Sequence, residues 1–481
     1  MQNIQMPAFL KKSGFVLALI LVSFFLRGVF LTALFPIFDG PDEARHYNTI
    51  QYLSEPEEKS WTINERPIKK DKSDIAGYNF SQEIIKTAEN IKTNDPGDDL
   101  FGIINFSESY IGKSENAINL NDWHRYNENY PPDIAGENNL YHLLCSLIEK
   151  SFGQYSILIR FYLIRIFSIL LGTAVLFLCY IITKNIGFSE KYSLLLSAII
   201  SFQPRFSMHF SYITYDDLLI LAFALFTLGC VLILKNGLRR KNVLLALTAM
   251  LIGLFTKGTS IVLLTVFIFF LACLFYKKIK NHKIKRAPLL ASIILLLVLV
   301  FIFQKYFDLA TLISGMNFGT LGEYLFKSLT VGRMEITSKT YWGNLQWSSN
   351  IFYDFILYFI WAIEIISAIG IAVIIFSKKK IEFLPEKKYI LFFLGMLAAL
   401  QLGIRFYDWQ IFSQTGGFDL GTPGRYFLPN IISHFILVFC GLVAFLKKEK
   451  YFDISMKVGL LFMFFFWFYL IIDVVMPRYY M

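Results

Sequence analysis

Apolar runs close to 20 residues long recur through the chain, separated by short loops rich in Lys and Arg. A helix needs about 20 residues to cross a hydrocarbon core of about 30 Å, and only helices or closed barrels satisfy every backbone group there. Alternating strand-like patterns are absent, so the expectation is an all-α polytopic membrane protein. Composition agrees: 55% of the 481 residues are hydrophobic and 17% are charged. The net charge of +10 gives no sign of nucleic acid, because the basic residues gather in short loops in the positive-inside pattern.

Lys11 and Lys12 place the N-terminus in the cytoplasm. Residues 1–35 then form that terminus and the first span, and 36–156 a long first extracytoplasmic loop. Spans two to seven occupy 157–306, a second outer loop 307–350, and the C-terminal spans 351–481. Val243 to Tyr276 is apolar for 34 residues. As one helix it would be about 50 Å long, so a break is expected at Thr256-Lys257-Gly258-Thr259. With that break about eleven spans result, and each strongly basic short loop falls on the cytoplasmic side.

The first outer loop carries 20 acidic and 10 basic residues from Pro36 to Glu137. Ile84 to Ile91 and Leu140 to Phe152 read as amphipathic helices, and Asp95 to Asp99 as a turn, which makes the loop partly helical. Four of the five cysteines, Cys179, Cys230, Cys273 and Cys440, fall in apolar runs and Cys145 in an amphipathic stretch. None has metal-ligand spacing, and all read as small buried hydrophobes.

Gly40-Pro41-Asp42-Glu43-Ala44-Arg45-His46-Tyr47 follows the first span directly. A helix opening at Pro41 would let Asp42 and Glu43 complement its positive end, with His46 on the same face. The topology gathers further polar groups at the outer surface: Arg205 and His209 after the third span, Asp216 and Asp217 opening the fourth, and Lys257 between the fifth and sixth. Arg405 and Asp408 follow the ninth, and Arg425 and Tyr426 open the tenth. Each has a bland reading as a helix cap, a snorkelling cation or an interface anchor, but ionisable residues at membrane depth are costly and mark sites.

No Gly-rich phosphate loop and no cytoplasmic domain for a nucleotide is visible, so ATP is not indicated. Carboxylates and fixed cations at an outer bilayer surface suit transfer of a group from a lipid-linked phosphate. A carboxylate can take the proton of an acceptor hydroxyl while Lys or Arg holds the departing phosphate.

The acidic motif resembles the "PDE-x-x-H" signature of a bacterial membrane family of unknown function (DUF2142-like). That family is similar to the GT-C superfamily of polyprenyl-phosphate-dependent glycosyltransferases. Further matches run in order: Arg165 to Gly172, Ser211 to Asp217, Gly253 to Gly258, and Gly424-Arg425-Tyr426-Phe427-Leu428-Pro429. Ala44-Arg45 departs from the Pro-Ala pair frequent there. The resemblance implies a GT-C-like bundle in the inner (plasma) membrane with its site on the extracytoplasmic face. It implies a catalytic carboxylate, Asp42 or in reserve Glu43, with Lys257 and Arg425 on the donor phosphate and Asp216 or Asp217 shaping the site. Arg45, His46, Arg205 and Tyr426 join them as candidate substrate-binding residues.

The partners so implied are a polyprenyl-phosphate-linked sugar donor, an extracytoplasmic glycan or lipid acceptor, and the bilayer itself. No cofactor is required, although Asp42, Glu43, Asp216 and Asp217 could supply oxygen ligands to a divalent cation. The rival expectation is a transporter or flippase, for which Arg27 inside the first span would line the pathway.

Overall fold

The computed structural model describes residues 12–54, 83–84, 87, 139–280, 317–343, 352–377, 381–418, 422–445 and 448–477. Regular structure among them is all helical, and seven helices are long and apolar enough to cross a membrane. The protein is therefore an all-α polytopic membrane protein, with seven such helices among the described residues where about eleven spans were expected. The expected span near 287–306, the turn at Asp95 to Asp99 and most of the helix expected from Ile84 to Ile91 lie outside the described residues.

The first spanning helix, α1 (Lys12–Leu34), is followed by α2 (Glu43–Ser54) and α3 (Leu140–Ser151). Three long apolar elements come next in sequence: α4 (Ile157–Ile186), a broken third one, and α7 (Asp216–Asn236). The broken element corrects the expected continuous span at 192–210. It is split into α5 (Glu190–Ser201) and α6 (Pro204–His209). Pro204 has no amide proton to continue the ladder and pushes Gln203 into an extended conformation, which ends α5. Arg27 of α1 reaches this break, donating to Ser201 Oγ at 3.0 Å and lying 3.7 Å over the Phe202 ring. A cation at a helix C-terminus complements its dipole, so Arg27 closes α5 where the transporter reading would have it line a pathway.

The expected break at Lys257 is present. Helix α8 (Arg240–Leu254) stops, Lys257 is extended, and a short 3-10 turn (Gly258–Ser260) leads into α9 (Ile261–Lys280). The orphaned carbonyl of Phe255 accepts from the Leu140 amide at the start of α3 at 2.7 Å.

The segment expected as a polar outer loop at 307–350 holds α10 (Leu321–Ser328) and α11 (Val331–Trp342) among its described residues. Four span-length elements follow, of which the first three are α12 (Asp354–Phe376), α13 (Lys387–Thr415), and a 3-10 segment (Gly424–Asn430) running into α14 (Ile431–Val443). The final helix is α15 (Glu449–Leu470). Helix α13 runs well past residue 406, so Arg405 and Asp408 lie inside it and not in the following loop. Asp408 is buried, accepting from Tyr324 at 2.9 Å and Thr422 at 3.1 Å. Of the cysteines, Cys273 is exposed on α9 and the other four are buried.

Two buried arginines near the start of α4 organise the end of the bundle where α2 and α3 sit. Arg160 pairs with Glu149 of α3 and with Glu83, the latter at 2.5 Å, while Tyr47 and Gln51 of α2 bond the same two carboxylates. Arg165 uses all five of its N–H groups. It clasps Glu43 through Nε and Nη2 at 2.8 and 2.7 Å, and donates to the carbonyls of Thr32, Phe35 and Pro36 at 3.0, 2.9 and 2.7 Å. Those carbonyls lie in the last turn of α1 and in the two residues just after it, so one guanidinium both caps a spanning helix and fixes the start of the next element. Glu43 completes its shell with the amides of Gly40 at 3.0 Å and Ile213 at 2.8 Å.

Replacing Arg165 with Leu should destabilise the protein by about 3–5 kcal/mol, because it strands a buried, ionised Glu43. Thermal unfolding in detergent checks this. An unchanged midpoint would remove Arg165 as the organising contact.

Candidate functional site

Asp42 does not sit in the first turn of a helix opening at Pro41, as the sequence suggested. Helix α2 begins at Glu43, and Asp42 precedes it with φ +58°, its carbonyl accepting the His46 amide at 2.9 Å. Asp tolerates this left-handed backbone better than most side chains, yet the conformation costs on the order of 1 kcal/mol or more. Phe38, four residues earlier, also has positive φ, at +64°. The strain is concentrated in the turn between α1 and α2, where Glu43 and Arg165 hold it.

That turn forms one wall of a cavity. Asp42 and His46 come from it and from the helix it opens, His209 from the end of α6, Tyr212, Thr214 and Tyr215 from the chain between α6 and α7, Asp216 from the start of α7, Lys257 from the helix break, and Arg425 and Tyr426 from the 3-10 segment. Six of the ten residues singled out from the sequence thus meet: Asp42, His46, Asp216, Lys257, Arg425 and Tyr426. The other four stand next to this wall. Arg45 is 3.6 Å from Asp42, and Arg205, buried on α6, feels the fields of Arg425 and Asp216. Asp217 is buried with Oδ1 3.7 Å from His209 Nε2. Glu43 has no exposed surface, and its oxygens are engaged by Arg165, Gly40 and Ile213, so it positions the turn and is not placed to act as a base.

The two lining carboxylates are in different states. Asp216 is locked to Lys257 at 2.8 Å. Asp42 has its oxygens 3.6 Å from Arg45 and from Arg425, at ion-pair range but beyond good hydrogen-bond length, and its side chain is 26% exposed. Lys257 also lies 4.7 and 4.5 Å over the rings of Tyr215 and Tyr426. Burial works against its charge, but Asp216 and the two tyrosines outweigh burial and raise its pKa. Lys257 therefore stays protonated across the physiological range.

His46 Nδ1 is 3.0 Å from His142 Nε2, and Tyr215 packs edge-on against His46 at 4.7 Å. His142 thus backs the site. Burial pushes His46 down to about 3; Asp216 opposes the shift, and Lys257, Arg45 and Arg425 reinforce it. Burial and then His46 lower His142 as well. A pair of neutral imidazoles shares one proton position, consistent with a single hydrogen bond between two ring nitrogens.

The sequence reading noted His209 without giving it a role, and took in Tyr212, Thr214 and Tyr215 only as part of the Ser211 to Asp217 match. All four lie in the run from Arg205 to Asp217, which a break before α7 exposes to the cavity. Gly40 explains part of this geometry, because a Cβ there would lie 2.7 Å from the Tyr212 ring. The glycine of the acidic motif is the seat of that tyrosine, which also packs against Phe35 at 4.9 Å. Among the described residues no group of three or more His, Cys, Asp or Glu could hold a metal ion.

The neutral histidines set a pH dependence. Their folded pKa values lie below the unfolded value of about 6.5, so the unfolded chain takes up protons first on acidification. Stability is complete above pH ~6.5 and falls towards pH ~3, with a slope of up to about 1.4 kcal/mol per pH unit for each histidine. His142→Gln should flatten unfolding midpoints measured between pH 6.5 and 4.5. A slope identical to the wild type would mean that His142 is not held neutral.

No curated protein and no solved structure gives a significant match to this chain. The family model described as "Predicted membrane protein (DUF2142)" matches residues 24–433, the stretch that contains each of the cavity-lining residues. By that match the chain belongs to the DUF2142 family of membrane proteins.

Proposed function

We propose that the protein is an inverting glycosyltransferase of the GT-C type, moving a monosaccharide from a polyprenyl-phosphate donor to an extracytoplasmic acceptor such as a cell-wall polymer, a glycolipid or a lipid-linked glycan. The observation that carries the reading is the division between the lining carboxylates. Asp216 is spent on Lys257, whereas Asp42 is partly exposed at the cavity beside Arg45 and Arg425.

In this mechanism the acceptor hydroxyl oxygen attacks the anomeric carbon and gives its proton to the Asp42 carboxylate. The bond from that carbon to the phosphate oxygen breaks, and its electron pair leaves with the polyprenyl phosphate. A single displacement inverts the anomeric centre. Lys257 and Arg425 face the charge that builds on the leaving phosphate, where preformed cations act most strongly. The cavity measures about 30 Å³, room for two or three waters and hence for a phosphate group, so the lipid and most of the sugar would extend outside it.

The inner (plasma) membrane and an extracytoplasmic site belong to the same proposal. Their support is the run of basic short loops and the convergence of Asp42, Asp216, Lys257 and Arg425 from loops assigned to one side.

The test uses protein in lipid nanodiscs with a panel of labelled polyprenyl-phosphate monosugars, and follows release of polyprenyl phosphate. The active donor identifies the sugar. Asp42→Asn should lower turnover by at least about 100-fold, the usual contribution of a general base, while donor binding persists. Full turnover in Asp42→Asn would remove Asp42 as base. Absence of turnover in the wild type with crude envelope acceptor would overturn the transferase.

A further inference from the structure

The cations of the site are already engaged: Lys257 with Asp216, and Arg425 with Asp42. What has no protein hydrogen-bond partner is different. The Tyr212 hydroxyl and both ring nitrogens of His209 are buried without one, in residues 1% and 2% exposed, and both residues line the cavity. A buried polar group left unsatisfied costs about 1–3 kcal/mol, so such groups call for an occupant of the cavity that completes them. Two further features fix the tyrosine for that purpose. Gly40 and Phe35 clamp its ring, and Arg165 lies 5.7 Å from it, so the hydroxyl cannot swing away without disturbing the turn that carries Asp42.

We infer that Tyr212 and His209 are the residues that recognise the ligand of this cavity, hydrogen-bonding the phosphoryl oxygens of a phosphate monoester or diester head group. The inference rests on the phosphate-donor reading above and adds the groups that give it direction. Paired cations attract any anion, including carboxylate or sulfate, with little orientation. A tyrosine O–H and an imidazole N–H, held rigidly and dry, demand acceptor oxygens at fixed points. Tyr212 is a donor to one such oxygen. His209 offers a second donor through one nitrogen, with Asp217 Oδ1 3.7 Å from its Nε2, beyond hydrogen-bond length.

The experiment measures binding of farnesyl phosphate and of farnesol to nanodisc-embedded protein. Tyr212→Phe keeps the ring and removes only the hydroxyl. It should weaken farnesyl phosphate binding about 10-fold, the worth of a hydrogen bond to a charged group, and leave farnesol binding unchanged. His209→Gln should weaken the phosphate by a smaller factor, again sparing the alcohol. Lys257→Met reports on the underlying reading, because a phosphate in this cavity must feel the loss of that charge. Unchanged phosphate binding in Lys257→Met, or none in the wild type, would show that the cavity is not the phosphate site and sink both ideas. Weakening in Lys257→Met with wild-type affinity in Tyr212→Phe and His209→Gln would overturn the inference alone. Equal loss of phosphate and farnesol in Tyr212→Phe would also overturn it, since it would show a packing role in place of phosphate recognition.

Discussion

The site depends on the contact between Arg165 and Glu43, two residues 122 positions apart with no exposed side-chain surface. A buried ion pair repays its desolvation only if nearly every donor and acceptor finds a partner. Here the guanidinium satisfies its five N–H groups on Glu43 and on the carbonyls of Thr32, Phe35 and Pro36 at and just past the end of α1, and the carboxylate accepts the Gly40 and Ile213 amides as well. The Gly40 bond tightens the turn that presents Asp42. The Ile213 bond pulls in the strand of chain between α6 and α7. One pair therefore brings the Asp42 wall and the Tyr212 to Asp216 wall of the cavity to the same place.

The remaining walls also come from interrupted helices, and each interruption is stabilised locally. Phe255, just before Lys257, gives its carbonyl to the Leu140 amide. Gln203, between α5 and α6, donates through Nε2 to the Tyr341 carbonyl at 2.7 Å, and the Gly424 amide donates to Thr340 at 2.6 Å. Buried backbone that leaves a helix must find its hydrogen bonds elsewhere in the protein, so the breaks require α3 and α11 to pack against them. The elements outside the spanning set are thus structural necessities of a site built from breaks.

Much of this arrangement was legible in the sequence where the cause was local. The all-α membrane class followed from run length, and the break at Lys257 from a stretch too long for the bilayer. The meeting of Asp42, Asp216, Lys257 and Arg425 followed from loop alternation. Contacts between distant residues were not legible. Nothing near Glu43 indicates that Arg165 consumes it, so Glu43 stayed in reserve behind Asp42 as a candidate catalytic carboxylate. The charge on Arg405 and Asp408 read as the end of a span, yet α13 continues because Tyr324 and Thr422 satisfy Asp408. The third span was read as continuous, and the Pro204 that breaks it was not used as a signal.

The difference between Asp42 and Glu43 explains why the motif carries two carboxylates in succession. Adjacent anions in a dry environment repel, and both remain charged only if each has its own cation. Arg165 neutralises Glu43 in a fully closed shell. Asp42, turned the other way by its left-handed backbone, meets Arg45 and Arg425 at longer range and with partial access to the cavity. The strain at Asp42 and the rigidity of Glu43 are two consequences of one turn. The buried carboxylate holds the backbone in a conformation it would not adopt alone, and that conformation aims the second carboxylate at the cavity.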